Sequence, residues 1–116
     1  MHSTVTARSL VAVAAALALF STLGAGVVAN PPKPTTHTVV MEASRYEPET
    51  LSVKAGDKIT WVNKDPFPHT ATSAGHFDST AIQPDQSWTF TAKAKGEFAY
   101  VCSFHPLTMK GSLRVQ

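Results

Sequence analysis

The chain has 116 residues, a formal net charge of +2 at neutral pH, 16% charged residues and one cysteine. That length is enough for one domain. So balanced a charge excludes an electrostatic nucleic-acid binder or a polybasic membrane-surface protein, and one cysteine excludes an internal disulfide.

In chain order, residues 1–9 carry one basic residue, Arg8, and no acid. Residues 10–20 (LVAVAAALALF) are uninterruptedly apolar, and residues 21–29 turn to small side chains ending Val27-Val28-Ala29. This is the layout of an export signal cut after Ala29, and it directs the protein to an oxidising compartment such as a bacterial periplasm. The uncharged stretch 10–29 is also just long enough to span a bilayer, so an uncleaved anchor is the alternative. Residues 30–36 (NPPKPTT) hold three prolines and read as an extended linker. The domain proper is 37–116. Without Arg8 the part after the cut carries nine Lys and Arg against eight acids.

No stretch of the domain keeps a helical period. Short runs rich in Val, Thr, Ile and aromatic residues alternate with Gly, Pro, Asn and Asp clusters, the pattern of an all-β sandwich or barrel. Strands are predicted at 37–43, 50–53, 58–63, 69–72, 87–91, 96–102 and 111–115, with one further short edge strand near Phe77. Ala55-Gly56-Asp57 and residues 93–96 are turns, and Glu47-Pro48-Glu49 breaks the first strand from the second. Period-two alternation puts Ile59, Trp61 and Asn63 on one face, Trp88 with Phe90, and Phe98, Tyr100 and Cys102 in one row.

The chemistry gathers in 100–115 (YVCSFHPLTMKGSLRV), where Cys102, His105 and Met109 fall within eight residues between two strand-like runs. Soft sulfur beside imidazole suits copper, and two His, one Cys and a weak axial Met form the blue-copper electron-transfer set. His69, after the rigid Asp65-Pro66-Phe67-Pro68 loop, is the candidate second imidazole. A free Cys is ordinarily inert packing and a His in a Pro-rich loop is ordinarily surface. Their coincidence with His105 and Met109 in one small exported domain is what promotes them. An unpaired thiol in an oxidising compartment also needs something to occupy its sulfur. His2, His37 and His76 keep the surface or structural reading.

Several pieces of the chain carry a family resemblance: Tyr46-Glu47-Pro48, LSVKAGDKITWVNKDPFPHT at 51–70, GEFAYVC at 96–102 and FHPLTMKG at 104–111. The sequence resembles the cupredoxins, specifically the plastocyanin, pseudoazurin and amicyanin group of type 1 copper proteins. The resemblance implies a Greek-key β-sandwich or barrel of about seven to eight strands. It implies one copper ion held by His69, Cys102, His105 and Met109. It further implies that Asn63 buttresses the ligand loop and that the backbone N–H of Thr70 donates to the Cys102 sulfur. One departure stands out: Pro106, Leu107 and Thr108 put three residues between His105 and Met109, where the family uses two or four. That bears on the axial bond and the potential, and leaves the other ligands untouched.

The function so implied is one-electron Cu(I)/Cu(II) transfer between redox proteins outside the cytoplasm. The alternative is a copper carrier or sequestering protein with the same site. Four protein ligands leave no open position, so no enzyme and no small-molecule substrate are expected. A Cys102–His105 nucleophile lacks an orienting acid, an adhesion sandwich leaves the constellation unexplained, and zinc does not recruit Met. Phe67, Pro68, Phe104, Pro106 and Leu107 are expected to form a small apolar patch around His105 for docking redox partners, flanked by Lys64 and Lys110. The protein is expected to be a monomer.

Overall fold

The alternation in 58–63 becomes a strand whose buried face is Ile59, Trp61 and Asn63. The computed structural model describes residues 32–116 together with Gly24 and Gly26. Apart from those two glycines, the predicted export signal, its cut after Ala29 and the first two linker residues lie outside the described residues. Among the described residues there are nine strands and no helix, and no helix long and apolar enough to cross a membrane.

The strands are β1 (Thr36–Glu42), β2 (Arg45–Glu47), β3 (Thr50–Val53), β4 (Lys58–Asn63), β5 (Thr72–Ser73), β6 (Phe77–Asp78), β7 (Ser87–Thr91), β8 (Gly96–Val101) and β9 (Lys110–Val115). They form two sheets, ordered β2-β1-β4-β7 and β3-β9-β8-β5-β6. The chain passes back and forth between them, which makes β1 parallel to β4 and β3 parallel to β9. The all-β sandwich matches the expectation from sequence.

Register defines two ends. Met41 pairs with Asn63 and Thr36 with Lys58, so β1 and β4 finish at the same end. Val101 pairs with Lys110 and Gly96 with Val115, so the β8–β9 turn is at one end and Gln116 at the other. The loops after β4 and β8 meet at the first end, tied by a bond from Thr70 N–H to Cys102 Sγ. Gly56 N–H to Ala92 O and Ala55 N–H to Gln116 O close the opposite end.

Between the sheets lie Val39, Met41, Tyr46, Ile59, Trp61, Tyr100, Leu113 and Val115, all essentially buried. Trp61 sits at the centre, its ring edge-on to Tyr100 at 5.5 Å. Burying each such side chain contributes about 1.5–3 kcal/mol. Tyr100 lies directly over Gly111 across the β8–β9 ladder. A Cβ there would run into the ring, so any other residue forces Tyr100 to shift.

Two expectations are corrected. The predicted strand at 69–72 is reduced to an isolated bridge between His69 and Ile82 and the two residues of β5. Thr70 N–H is spent on sulfur instead of a ladder, so the strand cannot run through it. β2 has no signal in the sequence pattern, and it raises the strand count above eight. It pairs with β1 through a two-residue turn, Ala43-Ser44, which lacks the Asn-Gly or Asp-Gly dipeptide such turns normally show.

Candidate metal centre

β4 delivers the first half of the site. Its last residue, Asn63, is fully buried, and its carboxamide organises residues 64–69. Asn63 Oδ1 accepts from Asp65 N–H at 2.9 Å, and Nδ2 donates to Phe67 O at 2.8 Å and Ile82 O at 2.9 Å. The loop is wound around this one side chain, and Pro66 and Pro68 stiffen it further. Asn63 thus braces the loop that carries His69.

His69 is fully buried. Its backbone exchanges bonds with Ile82, N–H to O at 3.2 Å and O from N–H at 2.7 Å. Its Nε2 stands 2.6 Å from Asp65 Oδ2. A carboxylate only accepts, so Nε2 carries a hydrogen, and in the neutral ring Nδ1 then keeps its lone pair. Nδ1 faces Cys102 Sγ at 3.7 Å.

β8 delivers the second half. Phe98, Tyr100 and Cys102 continue one inward row, and the sulfur ends it with no exposure. The 102–109 loop is closed by its own backbone: Cys102 N–H to Met109 O at 3.0 Å, His105 N–H to Cys102 O at 3.0 Å, and Met109 N–H to His105 O at 2.9 Å. Three residues between His105 and Met109 are thus accommodated in one turn starting at Pro106. Met109 is fully buried, while the His105 side chain is half-exposed. The His69 and His105 rings lie 5.7 Å apart, centroid to centroid.

Thr70 ties the halves together. Its N–H donates to Cys102 Sγ at 3.4 Å, and its Oγ1 accepts from Ser103 N–H at 2.8 Å. Its carbonyl accepts from the Tyr46 hydroxyl at 2.5 Å. Burial first, then the neighbouring Cys102 and Tyr100, push the Tyr46 phenol well above its ordinary value. Burial likewise pushes Tyr100 up to about 12. Both stay neutral and pack edge-on against each other at 4.6 Å. For Asp65 burial works upward, but the N–H of Ser44, the His69 ring and the N–H of Ala43 outweigh it, and the carboxyl lies below its usual range.

The donors fit a metal. An imidazole nitrogen bonds a transition ion at about 2.0–2.1 Å and a thiolate at about 2.3 Å. With an angle of roughly 110–120° between them, the two donor atoms stand about 3.6–3.8 Å apart. The His69–Cys102 separation falls in that interval. Among the described residues no three His, Cys, Asp or Glu side chains already close on one point. His69 and Cys102 are the pair drawn together, with His105 and the thioether of Met109 at the same end.

Among the described residues, Phe67, Phe104 and Leu107 are the exposed large apolar side chains, at 42%, 51% and 84%. Phe67 stands edge-on to both imidazoles, 5.1 Å from His69 and 6.4 Å from His105. Pro106 is exposed and Pro68 half-buried beside them, and Lys64 and Lys110 are exposed. His37 pairs with Asp57 at the opposite end, and His76 packs on Phe98, so neither joins the site. Sequence reasoning missed Asp65 and Tyr46. Asp65 had one available signal, its place four residues before His69 in a proline-bounded loop; Tyr46 had only its place in the resembling Tyr46-Glu47-Pro48 piece, since its partner is a backbone carbonyl 24 residues away.

A family model described as a cupredoxin-like domain matches residues 9–115. Amicyanin-alpha of Methylorubrum extorquens is 31% identical over 121 residues, covering 90% of this chain and 97% of that protein. The chloroplastic plastocyanin of Tetradesmus obliquus is 35% identical over 72 residues, 52% of this chain, and the match spans half of its length. Among solved structures, a Cu(I) form of an amicyanin mutant superposes with a TM-score of 0.66 at 25% identity, over 70% of this chain and 82% of that one. A copper-containing nitrite reductase of Thermus scotoductus gives a TM-score of 0.65 at 28% identity, over 75% of this chain but 23% of its own.

Proposed function

This chain belongs to the cupredoxin-like family, and we propose that it is a copper-binding electron-transfer protein whose ligands are His69, Cys102, His105 and Met109. The observation that carries this reading is the buried Cys102 sulfur facing a buried, tautomer-fixed imidazole at 3.7 Å. When bound, copper supplies a one-electron Cu(I)/Cu(II) couple. The chain supplies the rest. Complete burial of Cys102 and Met109 keeps water from the sulfur donors. The Thr70 N–H draws charge from the sulfur, which tunes such a site toward its reduced form. The loop bonds hold donor positions fixed between oxidation states, so little reorganisation accompanies transfer. The half-exposed His105 is the edge through which electrons pass, and Phe67, Pro68, Phe104, Pro106 and Leu107 form the surface that meets the partner. Weak electron-transfer encounters need only small interfaces, and this patch is small.

The protein is no enzyme on this reading, because four protein donors leave no position for substrate. It acts as a monomer outside the cytoplasm, exchanging electrons with redox proteins. The test is the optical spectrum of the copper(II)-loaded protein. An intense thiolate-to-copper band, reversible on reduction without loss of metal, supports the reading. Absence of that band overturns it, and rapid handover of Cu(I) to an acceptor with no reversible couple points instead to copper carriage.

A further inference from the structure

The β1–β2 turn is built from two residues that do not favour it. Ala43 and Ser44 have φ of 52° and 55°, in the left-handed region that costs side-chain-bearing residues about 1–2 kcal/mol each. Such backbone persists only where its surroundings over-determine it. Here the determinant is one carboxylate. Ala43 N–H donates to Asp65 Oδ1 at 2.7 Å and Ser44 N–H to Asp65 Oδ2 at 2.8 Å. Successive N–H groups in such a turn form an anion-binding concavity, and the Asp65 side chain fills it. The Asp65 backbone is fixed from the other side by Asn63. The remaining capacity of Oδ2 is directed at His69 Nε2. The side chain of Asp65 is 8% exposed and that of His69 is wholly buried, so water offers neither an alternative partner.

We infer that Asp65, gripped by the Ala43-Ser44 turn, is a positioning residue that locks His69 in the Nε2–H tautomer with Nδ1 aimed at Cys102. The inference rests on the proposed function for its consequences, but the tautomer is a property of the copper-free protein. A carboxylate behind a ligating imidazole has two effects. The ring is held in the binding orientation, and its basicity is raised. A more basic ligand beside a buried negative charge favours Cu(II) over Cu(I), so Asp65 lowers the potential of the site.

The experiment compares wild type with Asp65→Asn. In the copper-free wild type at mildly alkaline pH, nitrogen NMR of His69 shows a single Nε2–H tautomer. In Asp65→Asn it shows a mixture, copper(II) affinity falls about 10–100-fold by competition titration, and the potential rises. A tenfold change in the ratio of Cu(I) to Cu(II) affinity is about 59 mV for a one-electron couple. A variant with wild-type tautomer, affinity and potential overturns the inference. Should Asp65→Asn fail to fold, the wild-type spectrum decides alone, since an Nδ1–H tautomer there overturns it. A normal thiolate-to-copper band together with an unresponsive Asp65→Asn defeats this inference only. A missing band in the wild type defeats the proposed function and leaves the tautomer result standing.

Discussion

Each end of the sandwich contains an aspartate that gathers two backbone N–H groups and one imidazole. Asp65 takes Ala43, Ser44 and His69 at 2.7, 2.8 and 2.6 Å. Asp57 takes Thr35, Lys54 and His37 at 2.9, 3.0 and 2.9 Å. The two clusters share their chemistry and differ in what lies behind the ring. The His69 side chain has no exposure and its second nitrogen faces sulfur. The His37 side chain is 25% exposed, and the free cysteine of the chain lies at the other end. An Asp–His pair is thus a latch wherever its imidazole is a terminus and a positioning device wherever the imidazole has something further to hold. At the Asp57 end the latch ties the start of β1 to the β3–β4 turn. At the Asp65 end the same bonds aim a metal donor.

The largest expected effect tests that asymmetry directly. Cys102→Ser removes the sulfur that His69 faces. Copper(II) affinity should fall well beyond the roughly 10–100-fold that loss of an outer partner costs, and the thiolate-to-copper band should vanish. His37→Ala, measured alongside by the same titration and spectrum, should change neither. A serine variant with wild-type affinity would dissolve the distinction between the ends.

Glycines sharpen it next. At Gly111 the obstacle is space, because a Cβ meets the Tyr100 ring. Gly111→Ala should cost about 1–3 kcal/mol by overpacking. It should also shift the copper spectrum, because Tyr100 packs on Tyr46 at 4.6 Å and Tyr46 bonds the Thr70 carbonyl. At Gly56 the surroundings are open and the obstacle is a φ of 97°. Gly56→Ala should cost about 1–2 kcal/mol through backbone strain and leave the spectrum unmoved. Denaturant unfolding and the visible spectrum of the two variants check both halves of the statement.

Acid reaches both carboxylates, and Asp57 reports on the far end. The N–H of Thr35 first, then His37 and the N–H of Lys54, hold the Asp57 carboxyl at about 2, below its ordinary 3.8. A depressed folded-state value means the unfolded chain binds the proton first. The stabilisation is therefore full above the ordinary value and is lost as pH falls through it toward about 2. Thermal unfolding of the copper-free protein across that window should show the loss. Asp57→Asn should lower stability at neutral pH and flatten that part of the curve; an unchanged curve would mean the latch carries no stability.

The reach of each interaction decides how much of the fold and of the site is legible in the sequence. β4, β7, β8 and β9 are readable because period-two alternation is local, and the face containing Ile59, Trp61 and Asn63 comes out as the alternation requires. The 102–109 loop is readable because its chemistry lies within eight residues of sequence. β2 is not, because its turn is stabilised by a carboxylate 21 and 22 residues away instead of by Asn-Gly chemistry. The strand expected at 69–72 fails for the same kind of reason. Propensity favours it, but the N–H of Thr70 is claimed by a sulfur 32 residues on. In the sequence Asp65 is only part of a rigid loop, since nothing local says where a carboxylate points.

The smallest expected effect concerns the surfaces of the two ends. Phe67, Phe104 and Leu107, the exposed large apolar side chains among the described residues, all lie at the end that holds His105. The opposite end is lined by Pro32, Lys33, Pro34, His37, Lys54 and Asp57. If the apolar patch is where electrons leave, two copies of the protein should exchange electrons through it, and self-exchange between oxidised and reduced copies needs no identified partner. Leu107→Asp places a charge at the most exposed of the three large apolar side chains, at 84%. Two such charges face each other in the encounter, and like charges across an interface disfavour it. Self-exchange measured by NMR line broadening should slow by about tenfold at low salt and recover partly as salt screens the repulsion. Stability should move by no more than about 0.5 kcal/mol, because the side chain touches water, and the copper spectrum should stay as it is. Pro34→Asp, which adds the same single charge at an exposed position of the far end, should leave self-exchange unaltered. Equal slowing by both variants would mean that net charge governs the encounter, and the patch around His105 would lose its assigned role.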